Sequence, residues 1–171
     1  MRVQAKFDVS QVLSGLENLR SVQNHLARSM CVAGGKVLRD EAKVRAPVGT
    51  DEGGSKSPGA LQRSIYLAYR DKESTDTRVV YQVSWNAKKA PHGHLLEFGH
   101  WQTRAAYKGG DGDWHSGKPL DAPKWVPAHP FLRPAFDAAH RRAQEAMIAR
   151  GRQRLIELMS DKNYGGDDIE S

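Results

Sequence analysis

Five histidines, His92, His94, His100, His115 and His129, fall within 38 residues with Glu97 among them, a ring-nitrogen and carboxylate supply of the kind that binds zinc. A catalytic zinc needs three ligands that converge and a fourth position left open. The His-Glu-x-x-His spacing that would put two of them on one helix face is absent, and His92-x-His94 matches no zinc helix. These histidines therefore read as loop and surface groups. A metal-dependent hydrolase built on His92, His94 and His100 is the third of three functional readings. The acids Asp111 and Asp113 sit among glycines, and the chain has no Gly-x-Ser-x-Gly elbow, phosphate-cradling loop or Gly-x-Gly-x-x-Gly. The expectation is a non-enzyme with no cofactor and no metal.

Two other residue sets suit binding rather than catalysis. Arg141, Arg142, Arg150, Arg152 and Arg154 stud one stretch near the C-terminus, and phosphate neutralisation needs only charge on a shared surface. Helical spacing spreads them over more than one face, so solvation or pairing with an acidic neighbour competes with DNA. Arg141, Arg142 and Arg150 are the candidates to face DNA, and a stand-alone DNA-binding module is the second reading. The other set is aromatic: Trp101, Tyr107, Trp114 and Trp125 stand among glycines and charged residues in a long excursion over 100–126. A structureless loop of that length is usually functional or ordered by a partner, and large aromatics of this kind carry interface energy. Packing within their own subunit is the alternative.

The elements that would position these residues follow from periodicity. Val3 to Val9 alternates apolar and polar as a short strand does, and Ser10 suits a helix N-cap. From Gln11 the positions Val12, Leu16, Leu19, Val22, Leu26, Met30, Ala33, Val37 and Val44 recur as one helical stripe, with Gly34-Gly35 a place to bend and an end at Arg45 or Ala46 before Pro47. Glycines and small polar residues then make 48–59 a loop. Ile65, Leu67 and Tyr69 share one strand face over 65–70. Val79, Tyr81, Val83 and Trp85 share another over 78–85, and the polar turn 71–76 makes an antiparallel pair of them. His94 to Phe98 is a helical turn ended by Gly99. Pro127, Pro130 and Pro134 hold the chain extended at Val126, His129 and Arg133. Pro134 then opens a last helix, Ala135 to Ser160, with Phe136, Ala139, Ala143, Met147, Leu155, Leu158 and Met159 facing inward.

The fold class expected is α+β: a small, mainly antiparallel sheet from 3–9, 65–70 and 78–85, covered by the long N-terminal helix and followed by a long C-terminal helix. At 171 residues this is one domain, 1–160, with an acidic tail at 161–171. Hydrophobic residues are 39% and mean hydropathy is -0.66, low enough that partner subunits should supply part of the order. Without the tail the charge is +9, which suits a polyanionic neighbour. The single cysteine, Cys31, has no intrachain partner and fits a reducing compartment. With no apolar run long enough to span a bilayer and no signal core, assembly is expected in the cytoplasm, away from membrane.

Four segments in order carry a resemblance: Ala46-Pro47 with Thr50; Gly59-x-Leu61-x-x-Ser64-Ile65; Leu96-Glu97-Phe98-Gly99; and Pro127-Ala128-x-Pro130-Phe131-Leu132-Arg133-Pro134-Ala135. Together they resemble the neck and tail-completion proteins of long-tailed bacteriophages over Ala46 to Phe136. His100, the glycine-rich stretch before Gly59 and the aromatic excursion depart from that pattern. The resemblance implies a structural virion protein assembled in the host bacterial cytoplasm. It would form a homo-oligomeric ring, six-fold, that completes the tail and joins it to the head. Its implied partners are adjacent head-completion or connector proteins, tail-tube proteins and the genomic DNA in the lumen. Trp101, Tyr107, Trp114, Trp125, Phe131 and Leu132 are the expected interface residues, and Glu97 is expected to tie two signature segments together through Arg133 or Arg104.

Overall fold

The computed structural model describes residues 10–49, 58–75, 77–110 and 114–160, with side chains from Arg20 onward except those of Lys108, Trp114 and Met159. The expected strand at 3–9, Thr50, Asp111, Asp113 and the acidic tail lie outside the described residues. Helix α1 runs Ser10–Arg45, α2 Ala60–Ser64, α3 Gly93–Phe98 and α4 Leu132–Ser160; strands are β1 Ile65–Tyr69, β2 Tyr81–Trp85, β3 His100–Lys108 and β4 Trp114–Val126. The class is α+β.

Helices α1 and α4 form the largest packing surface, and they run antiparallel. Gly34 lies against Ala143 and Met147, while Met30 lies against Gly151. Small residues set this approach. Ala135, Ala139 and Ala143 are buried at intervals of four, and Gly151 continues the row, so the α4 backbone can come close to α1. Of the larger side chains expected on the inward faces, Leu158 is buried and Met147 half-buried, but Phe136 and Leu155 are exposed, as is Val44 on α1. Close backbone approach selects the alanine row over Phe136 and Leu155 beside it. The Gly34-Gly35 pair likewise makes room for neighbours, Gly34 for Met147 and Gly35 for Leu67.

Strands β1 and β2 pair antiparallel without a slip, from Ile65 opposite Trp85 to Tyr69 opposite Tyr81. The inner face is the expected one, Ile65, Leu67 and Tyr69 matched with Trp85, Val83 and Tyr81, and it packs on α1. Arg28 of α1 lies 4.5 Å over the Tyr69 ring and donates to its hydroxyl where that ring meets Tyr81. The second strand starts at Tyr81 rather than 78, because Thr75 and Arg78 exchange backbone hydrogen bonds and the Val80 N–H turns to the Ser74 hydroxyl. The core lies where this sheet meets both helices, around Leu61, Ile65, Ala42 and Phe131.

Two expectations are corrected. The excursion over 100–126 is a second antiparallel sheet, β3 with β4, and so is not a loop; among the described residues there are two two-stranded sheets. Its strands were masked in the sequence because glycines, prolines and charges break the alternation that a half-buried strand shows. Arg133 is helical, since α4 begins at Leu132. The bias that Pro134 places on it is overcome by a carboxylate cap described next.

Candidate functional site

The signature segments meet at one place. Short helix α3 ends at Gly99, whose φ of 73° and ψ of 173° fall in a region that only glycine occupies without strain. A side chain there would also collide with Trp125 and with the backbone of Val126 and Ala128. The His129 N–H donates to the Leu96 carbonyl at 2.7 Å, and the Gly99 N–H to that of Leu95 at 2.8 Å. Glu97, buried at 6% exposure, reaches across to the start of α4. Its carboxylate accepts from the backbone N–H of Phe131 (2.8 Å), Leu132 (3.0 Å) and Arg133 (3.2 Å). These are groups that a helix start leaves without partners, and the anion also faces the positive end of the helix dipole. The tie expected between Glu97 and the guanidinium of Arg133 or Arg104 is instead made to main chain. A buried carboxylate surrounded by aimed N–H groups is better satisfied than by one long, solvated side chain.

Phe131, capped this way, is fully buried and meets Trp85 edge-on at 5.9 Å. Leu132 packs against the same core. Of the expected interface residues, these two are held within their own chain.

The clamp is the root of the β3–β4 hairpin, which is an arm. Its strands pack chiefly on each other, and most described residues along them are exposed, with His100, Gln102, Leu120 and Val126 half-buried. Trp101 and Trp125 stand opposite in register, 5.3 Å apart and edge to face, yet remain 62% and 47% exposed. Further out Tyr107 stacks on His115 at 5.7 Å and is also exposed. Trp114 belongs to β4. The register shifts twice, around Arg104, where Pro119 stands opposite; such irregularities twist a ribbon.

A family model described as "Bacteriophage HK97-gp10, putative tail-component" matches residues 10–99, 90 of the 171 residues. The chain belongs to this family. No curated protein and no solved structure matches it. Membership makes it a phage tail component, a structural protein of the virion working against other virion proteins. The matched span runs through α1, both strands of the first sheet and α3, and ends at Gly99, where the arm begins.

The remaining polar groups of this tail component are scattered or spoken for. His92, His94, His115 and His129 are exposed and His100 is half-buried; among the described residues no group of three or more His, Cys, Asp or Glu is placed to hold a metal ion. Arg142 bonds Glu41 at 2.6 Å, joining α4 to α1, and Arg45 bonds the same carboxylate at 2.9 Å. The Arg142 hydrogen bond, with Arg45 beside it, holds the Glu41 carboxyl below the usual carboxylate range. Arg150 and Arg154 do the same for Glu157 within α4, Arg154 most strongly. Arg141 is exposed. Among the described residues no helix is long and apolar enough to cross a membrane. What sequence reasoning missed was the cap: Glu97 stood out, but nothing in the spacing of 97 and 131 announced that its partners would be three backbone N–H groups.

Proposed function

We propose that this protein completes the neck end of a long-tailed phage tail, six copies forming a closed ring around the DNA conduit between head-completion or connector proteins and the tail tube. The observation that carries the reading is the arm. A lone two-stranded hairpin is marginal in water, and this one holds Trp101, Trp125 and Tyr107 out to solvent while its root is fixed by Glu97, Gly99 and His129. A rigidly rooted arm with exposed aromatics is suited to lie on a neighbouring subunit, and head-to-tail contacts of that kind close into rings. Trp101, Trp125, Tyr107 and Trp114 would then be the interface residues, and Arg141 with its basic neighbours would approach the lumen. Native mass spectrometry of the purified protein, with its place in a virion reconstruction, tests the assignment. Six copies at the head-tail junction are expected, and a single isolated copy or none in the virion overturns it.

The DNA-module reading is weighed by the exposed basic groups Arg104, Lys118 and Lys124 on the arm and Arg141 on α4. In a conduit, contact with DNA has to be weak and blind to sequence, fading steeply with salt. A titration of unrelated duplexes should show no preferred site. One that survived physiological salt would replace the ring with a sequence reader.

A further inference from the structure

An apolar groove of about 510 Å³ opens beside β2, walled by α1 and α4 through Cys31, Gly35, Leu38, Phe136 and Met147; it reaches Leu67 on the inner face of the sheet and touches the consecutive strand residues Tyr81, Gln82 and Val83, with Val79 and Val80 leading into them. Successive side chains of a strand point to opposite faces, so a cavity that meets three strand residues in a row extends from the inner face around the strand's edge. The hydrogen-bond register says which groups face it. Arg70 N–H donates to the Val80 carbonyl and Asn86 N–H to that of Ser64, so residues 80, 82, 84 and 86 bond to β1 and the backbone groups of Tyr81 and Val83 point the other way. Among the described residues no strand lies on that edge. Open donors and acceptors beside an apolar wall form a template for one more strand.

We propose that residues 3–9 of a second copy of this chain fill the groove as a third strand on β2. In that segment Val3, Ala5, Phe7 and Val9 alternate with Gln4, Lys6 and Asp8, so one face suits the helices and the other suits water. The chain's own segment cannot reach. Val3 is seven residues from Ser10, at most about 25 Å of extended chain, whereas Cys31, the groove residue of α1 nearest Ser10, is 21 residues up the helix, about 32 Å. A neighbour's arm is a poorer occupant, because β4 carries Pro119 and Pro123, which have no N–H to offer an edge. Each copy gives one strand and receives one, a head-to-tail contact. The proposal rests on the self-association in the ring reading but not on the ring's place in the virion.

Cysteine scanning of the full chain tests it, with native Cys31 as the reporter in the groove. Val3→Cys, Ala5→Cys, Phe7→Cys and Val9→Cys are compared with Gln4→Cys, Lys6→Cys and Asp8→Cys under mild oxidation, in mixtures of tagged and untagged copies. Disulfides to Cys31 of another copy are expected with a period of two, the best inward position exceeding its outward neighbours at least ten-fold, and Cys31→Ser should abolish them. Phe7→Asp should weaken self-association about 10- to 100-fold, the loss of one buried aromatic, with the circular dichroism of the subunit unchanged. Links within one chain, links without periodicity, or a Phe7→Asp variant that associates as wild type overturn the proposal. Closed rings that form without these links leave the ring reading standing and sink the strand exchange. Links in open chains of copies support the exchange and sink the closed ring.

Discussion

Strands β1 and β2 pair over five residues with no slip and lay one face on α1, while β3 and β4 pair over a longer span, shift register twice and expose most of both faces. The backbone chemistry is the same in the two hairpins; what differs is what stands behind them. In the first, Leu67 fits over Gly35 and Ile65 joins the core, so pairing and burial support each other. In the second, order comes from the root clamp and from the Trp101–Trp125 pair. The body therefore owes its shape to its own core, and the arm owes its direction to its attachment.

The contrast can be broken at its strongest point first. Phe131→Ala removes a fully buried aromatic ring between Trp85 and the helix layer and should cost about 3–5 kcal/mol, visible as a large fall in the midpoint of chemical denaturation. Wild-type stability would show that the body is not built on this residue. Glu97→Ala leaves three N–H groups at the start of α4 without their acceptor and should cost about 2–3 kcal/mol. It should also raise hydrogen exchange at residues 131–133 and in the arm. Exchange confined to the helix start would mean that the arm is held by something else. Gly99→Ala meets both a glycine-only backbone and the crowded Trp125 and should cost about 1–3 kcal/mol.

Smaller effects sharpen the division. Trp101→Ala with Trp125→Ala should leave the body's denaturation within about 0.5 kcal/mol, as exposed substitutions do, while native mass spectra lose the oligomer. Retained oligomers would place the interface elsewhere. Last is a pH effect at the α1–α4 seam. The Glu41 carboxyl is depressed in the folded state by Arg142 and then Arg45, so its stabilisation is present above the ordinary carboxylate pKa and is lost as pH falls through the lower folded value. Melting temperature should drop from about pH 4 downward, and Arg142→Gln should flatten part of that drop. An unchanged acid profile in the variant would remove Glu41 from the seam.

The two hairpins also divide what the sequence made legible. Long helices, the first sheet and its inner face were readable because burial on one side writes a period into the side chains, as in Ile65, Leu67, Tyr69. The arm carries no such period, and Trp101 to Trp125 therefore looked like a loop. The inward face of α4 was legible at Ala139, Ala143 and Leu158 but misread at Phe136 and Leu155, for another reason: hydrophobicity favours those two positions, whereas closeness to α1 favours small residues such as Ala135. Glu97 was found as important but given the wrong partner, since backbone acceptors and donors do not appear in a residue pattern.

One consequence follows from where the clamp sits. Glu97, Gly99 and His129 all lie outside the ribbon they hold, and the family match stops at the same border. The segment between them can thus be lengthened, shortened or exchanged for another without disturbing the fold below it, since loop closure costs little more for a longer insert. Lineages sharing this body could diversify by swapping the cassette at its rim, matching a new neighbour while inheriting the same platform.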